Sequence, residues 1–188
     1  MSEGLTTRST LPNQLWMTPG EEGEEEPDPP TEEEYTPVSG NRLHCKPYGG
    51  FWTSTFTPDA EYDSDWIRWC SSEGFHAGRE TFRLAVESDL RIVEVDTLSD
   101  LRNVLERYEN DAEPYVNIPH EQALDFEALA EDFDGMRLTA EGQVKTRMPG
   151  MSQPNLYGWD SECTLWFSWS FEDVEYVGTC ENELPNWS

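Results

Sequence analysis

Apolar and polar residues alternate in two short stretches near the middle of the chain. From Thr81 to Val86 the apolar positions are Phe82, Leu84 and Val86; from Leu90 to Val95 they are Leu90, Ile92 or Val93, and Val95. A period of two sets one face of an extended segment against a core, so both stretches are expected to be half-buried strands. Helical spacing flanks them. Trp66, Trp69 and Cys70 stand at i, i+3 and i+4 in the segment Asp65–Ser72, behind Ser64 as a cap and ahead of Gly74 as a stop. Leu98, Leu101, Leu105 and Tyr108 form a second helical face, with Thr97 and Asp100 spaced as a capping box. A shorter helix is expected near Phe126 to Phe133, capped by Asp125, with Leu129 and Phe133 facing inward and Gly135 ending it.

Further strands are expected at Gln14–Thr18, Met136–Thr139 and Val174–Gly178, the last at an edge. The segment Cys163–Trp169 is apolar nearly throughout, as in a central strand covered on both faces. Residues 140–155 hold Gly142, Pro149, Gly150 and Pro154 and read as a long mobile loop. The stretch Arg42–Phe56 organises the rest: Pro47 breaks it, Gly49-Gly50 turns it, and it continues as the β-prone Phe51–Phe56. Paired glycines permit positive φ or a close backbone approach, so the turn forms either a ligand cleft or a tight sheet corner. In both cases the crease should bring Thr53-Ser54-Thr55 beside the late tryptophan-rich strand. The expected fold is α+β: bent or split antiparallel sheets with a few short helices. Residues 41–180 make one domain, preceded by a polar, acidic N-terminal arm over 1–40 with a short strand at 14–18, and followed by a tail over 181–188.

Charge changes the picture of the surface. The chain carries 39 acidic against 12 basic residues, a net charge of −27, and Lys46 and Lys145 are its lysines. The Glu/Pro-rich run from Glu21 to Pro37 has too little to bury to offset its ordering entropy. Taking away the nine carboxylates of residues 21–34 still leaves −18 of the −27. A lysine-poor, acid-rich surface of this kind is expected of a halophilic host, where salt screens the self-repulsion. A row of carboxylates could also mimic a nucleic-acid duplex. Direct nucleic-acid binding is disfavoured, since no basic patch is visible.

Aromatic residues supply the core that aliphatics do not: 8 Trp, 8 Phe and 7 Tyr. Cys45, Cys70, Cys163 and Cys180 are far apart in sequence, without a C-x-x-C pair, and His44, His76 and His120 have no zinc-ligand spacing. No apolar run approaches a membrane span and the N-terminus lacks a signal-peptide core, so secretion by that route is not expected. Ser54 lies outside any G-x-S-x-G elbow. The segment Gly158-Trp159-Asp160-Ser161-Glu162-Cys163 brings two carboxylates to the mouth of the apolar strand, and Glu162 is the one of interest. It is either a solvated strand end or a group that orients a ribose hydroxyl and steadies a developing positive charge. Asp132 and Asp134 are expected to end a helix, and His44 to be a hydrogen-bonded sheet residue.

Four motifs occur in order: K-P-x-G-G-F-W-x-S over Lys46–Ser54, D-W-x-x-W-C over Asp65–Cys70, F-D-G over Phe133–Gly135, and L-Y-G-W-D over Leu156–Asp160. Together they resemble a family of small uncharacterised proteins of tailed bacterial viruses. The layout of that family is similar to the split sheet of ADP-ribosyltransferases. There a first strand carries His or Arg, a second a hydroxyl/aromatic motif, and a late strand Glu. The matching positions would be the Trp16-Met17-Thr18 strand, Trp52 to Thr55, and Glu162. Met17 departs from the pattern, because a thioether cannot replace a polar contact to NAD.

Two functions follow from the resemblance. The first is a non-enzymatic, virion-associated or accessory protein of a tailed virus of a salt-loving host. It would need no cofactor, reside in the virion or host cytoplasm, and contact viral or host proteins, including a large assembly, through its acidic arm and aromatic-rich domain; nucleic acid and membrane are not among its partners. The second is an NAD-dependent, ADP-ribosyltransferase-like enzyme acting on a host target. Glu162 would be its catalytic carboxylate, Ser54 and Thr55 would brace the nicotinamide ribose, and Tyr48 or Trp52 would stack on nicotinamide. The charge pattern itself is testable: the thermal midpoint should rise between 0.1 M and 1 M salt, where the screening length falls from about 10 to about 3 Å. A flat response would reject salt adaptation.

Overall fold

The structure is a computed structural model that describes residues 4–18, 28–42, 46–58, 60–75, 79–110, 123–150 and 153–180. Its helices start where side chains can take the first free N–H groups. Helix α1 (Asp65–Glu73) begins at Ser64, whose hydroxyl accepts from the Ile67 N–H at 3.2 Å, and ends at Gly74 in the left-handed conformation. Helix α2 (Leu98–Arg107) has the complete capping box of Thr97 and Asp100, the Asp100 carboxylate accepting the Thr97 N–H at 2.8 Å. Helix α3 (Phe126–Asp132) begins at Asp125, which accepts from the Ala128 N–H at 2.9 Å.

A fourth helix, α4 (Ala140–Thr146), occupies the region expected to be a long loop. Thr139 caps it, accepting from the Gly142 N–H at 3.0 Å. Gly142 is there for proximity, not for a turn: a Cβ at this position would lie 2.1 Å from the Val95 carbonyl oxygen. The buried face of α1 also differs from expectation. Ile67, Cys70 and Ser71 are buried, while Trp66 and Trp69 stack on each other at 4.9 Å and are half-buried.

Eight strands form one sheet: β1 (Thr7–Arg8), β2 (Gln14–Met17), β5 (Phe51–Thr55), β6 (Glu80–Val86), β7 (Ile92–Val95), β8 (Gly135–Leu138), β9 (Cys163–Trp166) and β10 (Phe171–Thr179). Their spatial order is β1-β7-β8-β9-β5-β2-β6-β10. The strands β3 (Ser39–Arg42) and β4 (Lys46–Tyr48) pair separately. Pairing is antiparallel except between β7 and β8, which run parallel, so the large sheet is mixed where an antiparallel one was expected. Helices α2 and α3 lie between β7 and β8 in sequence and supply the crossover that a parallel pair requires. The α+β class holds. Part of the polar N-terminal stretch is built into this sheet: β1 extends its edge, and β2 sits between β5 and β6 with Gln14 and Leu15 fully buried. Residues 19–27, His44, Cys45, His76, His120 and the tail 181–188 fall outside the described residues.

The sheet is creased at β5. Phe51, Trp52 and Thr53 pair with Trp166, Leu165 and Thr164 of β9, whereas Ser54 and Thr55 pair with Leu15 and Gln14 of β2. One short strand therefore serves both halves. The bend is visible in the packing. Strands β9 and β10 are four positions apart, roughly 19 Å in a flat sheet, yet the rings of Trp166 and Phe171 are 4.8 Å apart. Leu84, Ile92, Trp166 and Phe171 share the core on the concave side with Trp16, Phe51 and Trp169. Helices α2 and α3 cover the other face of β7, β8 and β9, over Val93, Val95, Met136, Leu138 and Leu165; α1 covers Leu15 and Met17 of β2. The outermost strand, β10, has register shifts between Phe171 and Asp173 and between Tyr176 and Gly178. Among the described residues no helix is long and apolar enough to cross a membrane.

Gly49 and Gly50, at the entry to β5, have φ of +68° and +71°. A Cβ on Gly49 would lie 2.2 Å from the Pro37 carbonyl oxygen, and one on Gly50 would lie 2.4 Å from Leu165 Cδ1. Both the positive φ and the close approach foreseen for this pair are present. Gly74→Ala, whose Cβ meets nothing within 4 Å, should cost about 1–2 kcal/mol for the left-handed backbone alone. Gly49→Ala should lower the urea midpoint clearly further; equal midpoints would mean the Pro37 contact is unimportant.

Candidate functional site

A row of four charged side chains crosses four neighbouring strands, β1, β7, β8 and β9. Glu94 and Arg137 stand opposite each other in the parallel register of β7 and β8, each flanked by apolar residues in its strand. Glu94 is buried, its side chain 3% exposed, so its charge has to be matched locally. Arg8 of β1 donates to Glu94 Oε1 through Nη2 at 2.8 Å and Nε at 2.9 Å. Arg137 Nη1 donates to Glu94 Oε2 at 3.0 Å. On the far side of Arg137 stands Glu162, just ahead of β9, with Arg137 Nε 3.4 Å from its Oε1.

Glu162 is buried and has further donors where β5 parts from β9. Its Oε2 accepts from the Ser54 hydroxyl at 2.9 Å and the Thr55 N–H at 2.8 Å; its Oε1 accepts from the Thr55 hydroxyl at 2.7 Å. The crease makes this possible. Thr53 is the last residue of β5 paired with β9, so the Thr55 N–H is free of that ladder and takes the carboxylate.

An open pocket of about 430 Å³ lies against this carboxylate, within the range of small-molecule sites. Thr55, Arg137 and Glu162 form its wall at the sheet, Ala140 contributes from the start of α4, and Tyr62, Ser64, Asp65 and Arg68 contribute from the approach to α1 and its first turn. The donors and acceptors suit a polyhydroxyl group: a carboxylate to accept, a guanidinium and hydroxyls to donate, and Tyr62 as an aromatic face.

The residues picked out in the sequence separate into two groups. Ser54, Thr55 and Glu162 come together, with Thr55 and Glu162 on the pocket wall and Ser54 beneath the carboxylate, 1% exposed. Trp52 and Tyr48 do not join them. Trp52 packs edge-on against Trp159 at 4.7 Å in the helix-covered core, with Lys46 Nζ 5.7 Å from its ring centre, and Tyr48 is exposed on β4. Met17 is buried among Ile67 and Cys70, under α1. Asp160 pairs with Lys46 and Arg147; Asp132 accepts from the Tyr108 hydroxyl, and Asp134 takes the Arg91 N–H and guanidinium. Sequence reasoning passed over Arg137, Glu94 and Arg8. A usable signal was present in two opposite charges, each embedded in an otherwise apolar strand.

Burial pushes the thiol of Cys70 up to about 12 and that of Cys180 to about 11, and raises Cys163 as well, so these three are poor thiolate nucleophiles. Among the described residues no group of three or more His, Cys, Asp or Glu is placed to hold a metal ion. Compared with protein families, curated proteins and solved structures, the chain matches none of them.

Removing the Glu162 carboxylate strands two hydroxyls and one N–H. Glu162→Ala should therefore lower stability by roughly 3 kcal/mol. Asp160→Ala, whose ion pairs are 3.7 and 3.8 Å long and partly solvated, should cost less than about 1 kcal/mol. Urea denaturation of the two variants checks the contrast, and equal losses would contradict this account of Glu162.

Proposed function

We propose that the chain is an NAD-dependent, ADP-ribosyltransferase-like enzyme with Glu162 as its central carboxylate. The observation that carries this reading is the direct bonding of Ser54 and Thr55 to Glu162 on the wall of a pocket. It is supported by topology, since β2, β5 and β9, the three strands assigned by the resemblance, are consecutive neighbours in the sheet. The pocket would hold the nicotinamide ribose, with Tyr62 taking the aromatic role first assigned to Tyr48 or Trp52.

In the reaction the bond between the ribose C1′ and the nicotinamide nitrogen breaks, and its electron pair leaves with nicotinamide. A nucleophile of the target supplies the electrons of the new bond to C1′ and releases a proton. Glu162 accepts from a ribose hydroxyl and opposes the positive charge that grows on the sugar ring. Ser54 and Thr55 fix its orientation.

A second reading is favoured by the acidic excess, 39 carboxylates against 12 cations, which the pocket does not use. In it the chain is a non-enzymatic, virion-associated or accessory interaction protein of a tailed virus of a salt-loving host. The two readings part in one experiment. The chain is incubated with labelled NAD and host lysate in concentrated salt, and particles are assayed for the chain. The enzyme reading expects label on a host component and at least about a 100-fold loss with Glu162→Gln. No transfer, or equal transfer by the variant, rejects it, and recovery of the chain with particles then favours the second reading.

A further inference from the structure

We propose that Glu94 is a positioning residue that holds the Arg137 guanidinium off Glu162, leaving the Oε1 edge of that carboxylate open to a vicinal diol. The proposal rests on the reading of Glu162 as the ligand-facing carboxylate. Arg137 stands between two carboxylates and pairs with them unequally: 3.0 Å to Glu94 and 3.4 Å to Glu162. The longer distance exceeds the usual limit of about 3.2 Å for N–H···O. A guanidinium free to choose would form a two-bond fork with a neighbouring carboxylate.

Register and anchoring explain why Glu94 wins. It is directly opposite Arg137 on the parallel strand, and Arg8 fastens its other oxygen with two donors. The acceptor sites of Glu162 make the result specific. Each carboxylate oxygen accepts about two hydrogen bonds. Oε2 has both filled, by Ser54 and Thr55, whereas Oε1 has one short bond, from the Thr55 hydroxyl, and the long contact with Arg137. The remaining acceptor position is thus on Oε1. Arg137 Nη2, 3.5 Å from the Thr55 hydroxyl, is the matching donor. One hydroxyl of a ribose can donate to Oε1 while its neighbour accepts from Arg137.

The test compares Glu94→Gln, Arg137→Met and the double variant, using crystal structures and the affinity of the full chain for NAD and for nicotinamide riboside. In Glu94→Gln the Arg137–Glu162 separation should close to about 2.9 Å, with affinity for both probes falling about tenfold. Arg137→Met should lose about threefold, and the double variant should bind like Arg137→Met rather than about thirtyfold more weakly, as additivity demands. Arg8→Met, at a half-exposed position, leaves Glu94 with Arg137 as its remaining cation, so the Arg137–Glu162 separation should not shorten. A separation that fails to close in Glu94→Gln, one that closes in Arg8→Met, or an additive double variant, overturns the proposal. If the wild-type chain neither binds nor transfers NAD, the enzyme reading fails alone, and the separation still decides the role of Glu94.

Discussion

A carboxylate withdrawn from water has to find its donors within the protein, and Glu162 finds them on β5 and β8, the strands that flank its own. Without the Ser54 hydroxyl, the Thr55 N–H and hydroxyl, and Arg137, the desolvation penalty of that charge would be unopposed. The same requirement passes outward along the sheet. Arg137 needs Glu94 as well as Glu162, and buried Glu94 needs Arg8, which reaches solvent at the sheet edge. Two positive and two negative side chains close the series, so no member is left unmatched.

The crease has a cost of its own, because a strand shared between two halves has a ladder that changes partner midway. A buried polar cluster sits at that change. The Trp166 indole N–H donates to the Thr53 hydroxyl at 2.8 Å, and that hydroxyl donates to the Gln14 side chain at 2.8 Å. Residues from β9, β5 and β2 are thereby tied across the fold line, next to the aromatic packing of Trp16, Phe51, Trp169 and Phe171. Rigid rings and directional bonds fix the angle between the halves, and so the distance between Ser54 and Glu162.

Local signals in the sequence carried far when one residue type served one purpose. The caps at Ser64, Thr97 and Asp125, the alternation in β6 and the continuous apolar run of β9 all formed as their residues indicate, whereas β7, expected to be half-buried, is buried at every position, Glu94 included. Legibility failed where a residue served a long-range purpose. Gly142 reads as a helix breaker, yet its value is its closeness to Val95, a contact that sequence spacing does not reveal. Trp52 reads as a ligand platform because its face of β5 depends on the register with β9, where it meets Leu165 and faces the helices. Arg137 and Glu94 escaped notice for the same reason: each charge makes sense only once the parallel pairing sets them side by side. Ser54 and Glu162 were legible as a pair through the resemblance; the glycines expected to crease the sheet instead turn the chain into β5, and the crease lies where β5 changes partner between Thr53 and Ser54.

The outer border of the molecule has its own problem. Among the described residues β10 has no neighbour on one side of its backbone, and Glu172, Asp173 and Glu175 are exposed along it. In dilute buffer those negative groups would repel a second copy approaching edge to edge. In molar salt repulsion acts over only about 3 Å, too short to turn an approaching strand away. Protection then falls to geometry, since two interruptions in the pairing of a nine-residue strand deny a straight template to any would-be partner. A sheet border shaped in this way stays unadhesive in brine, where charge alone would fail.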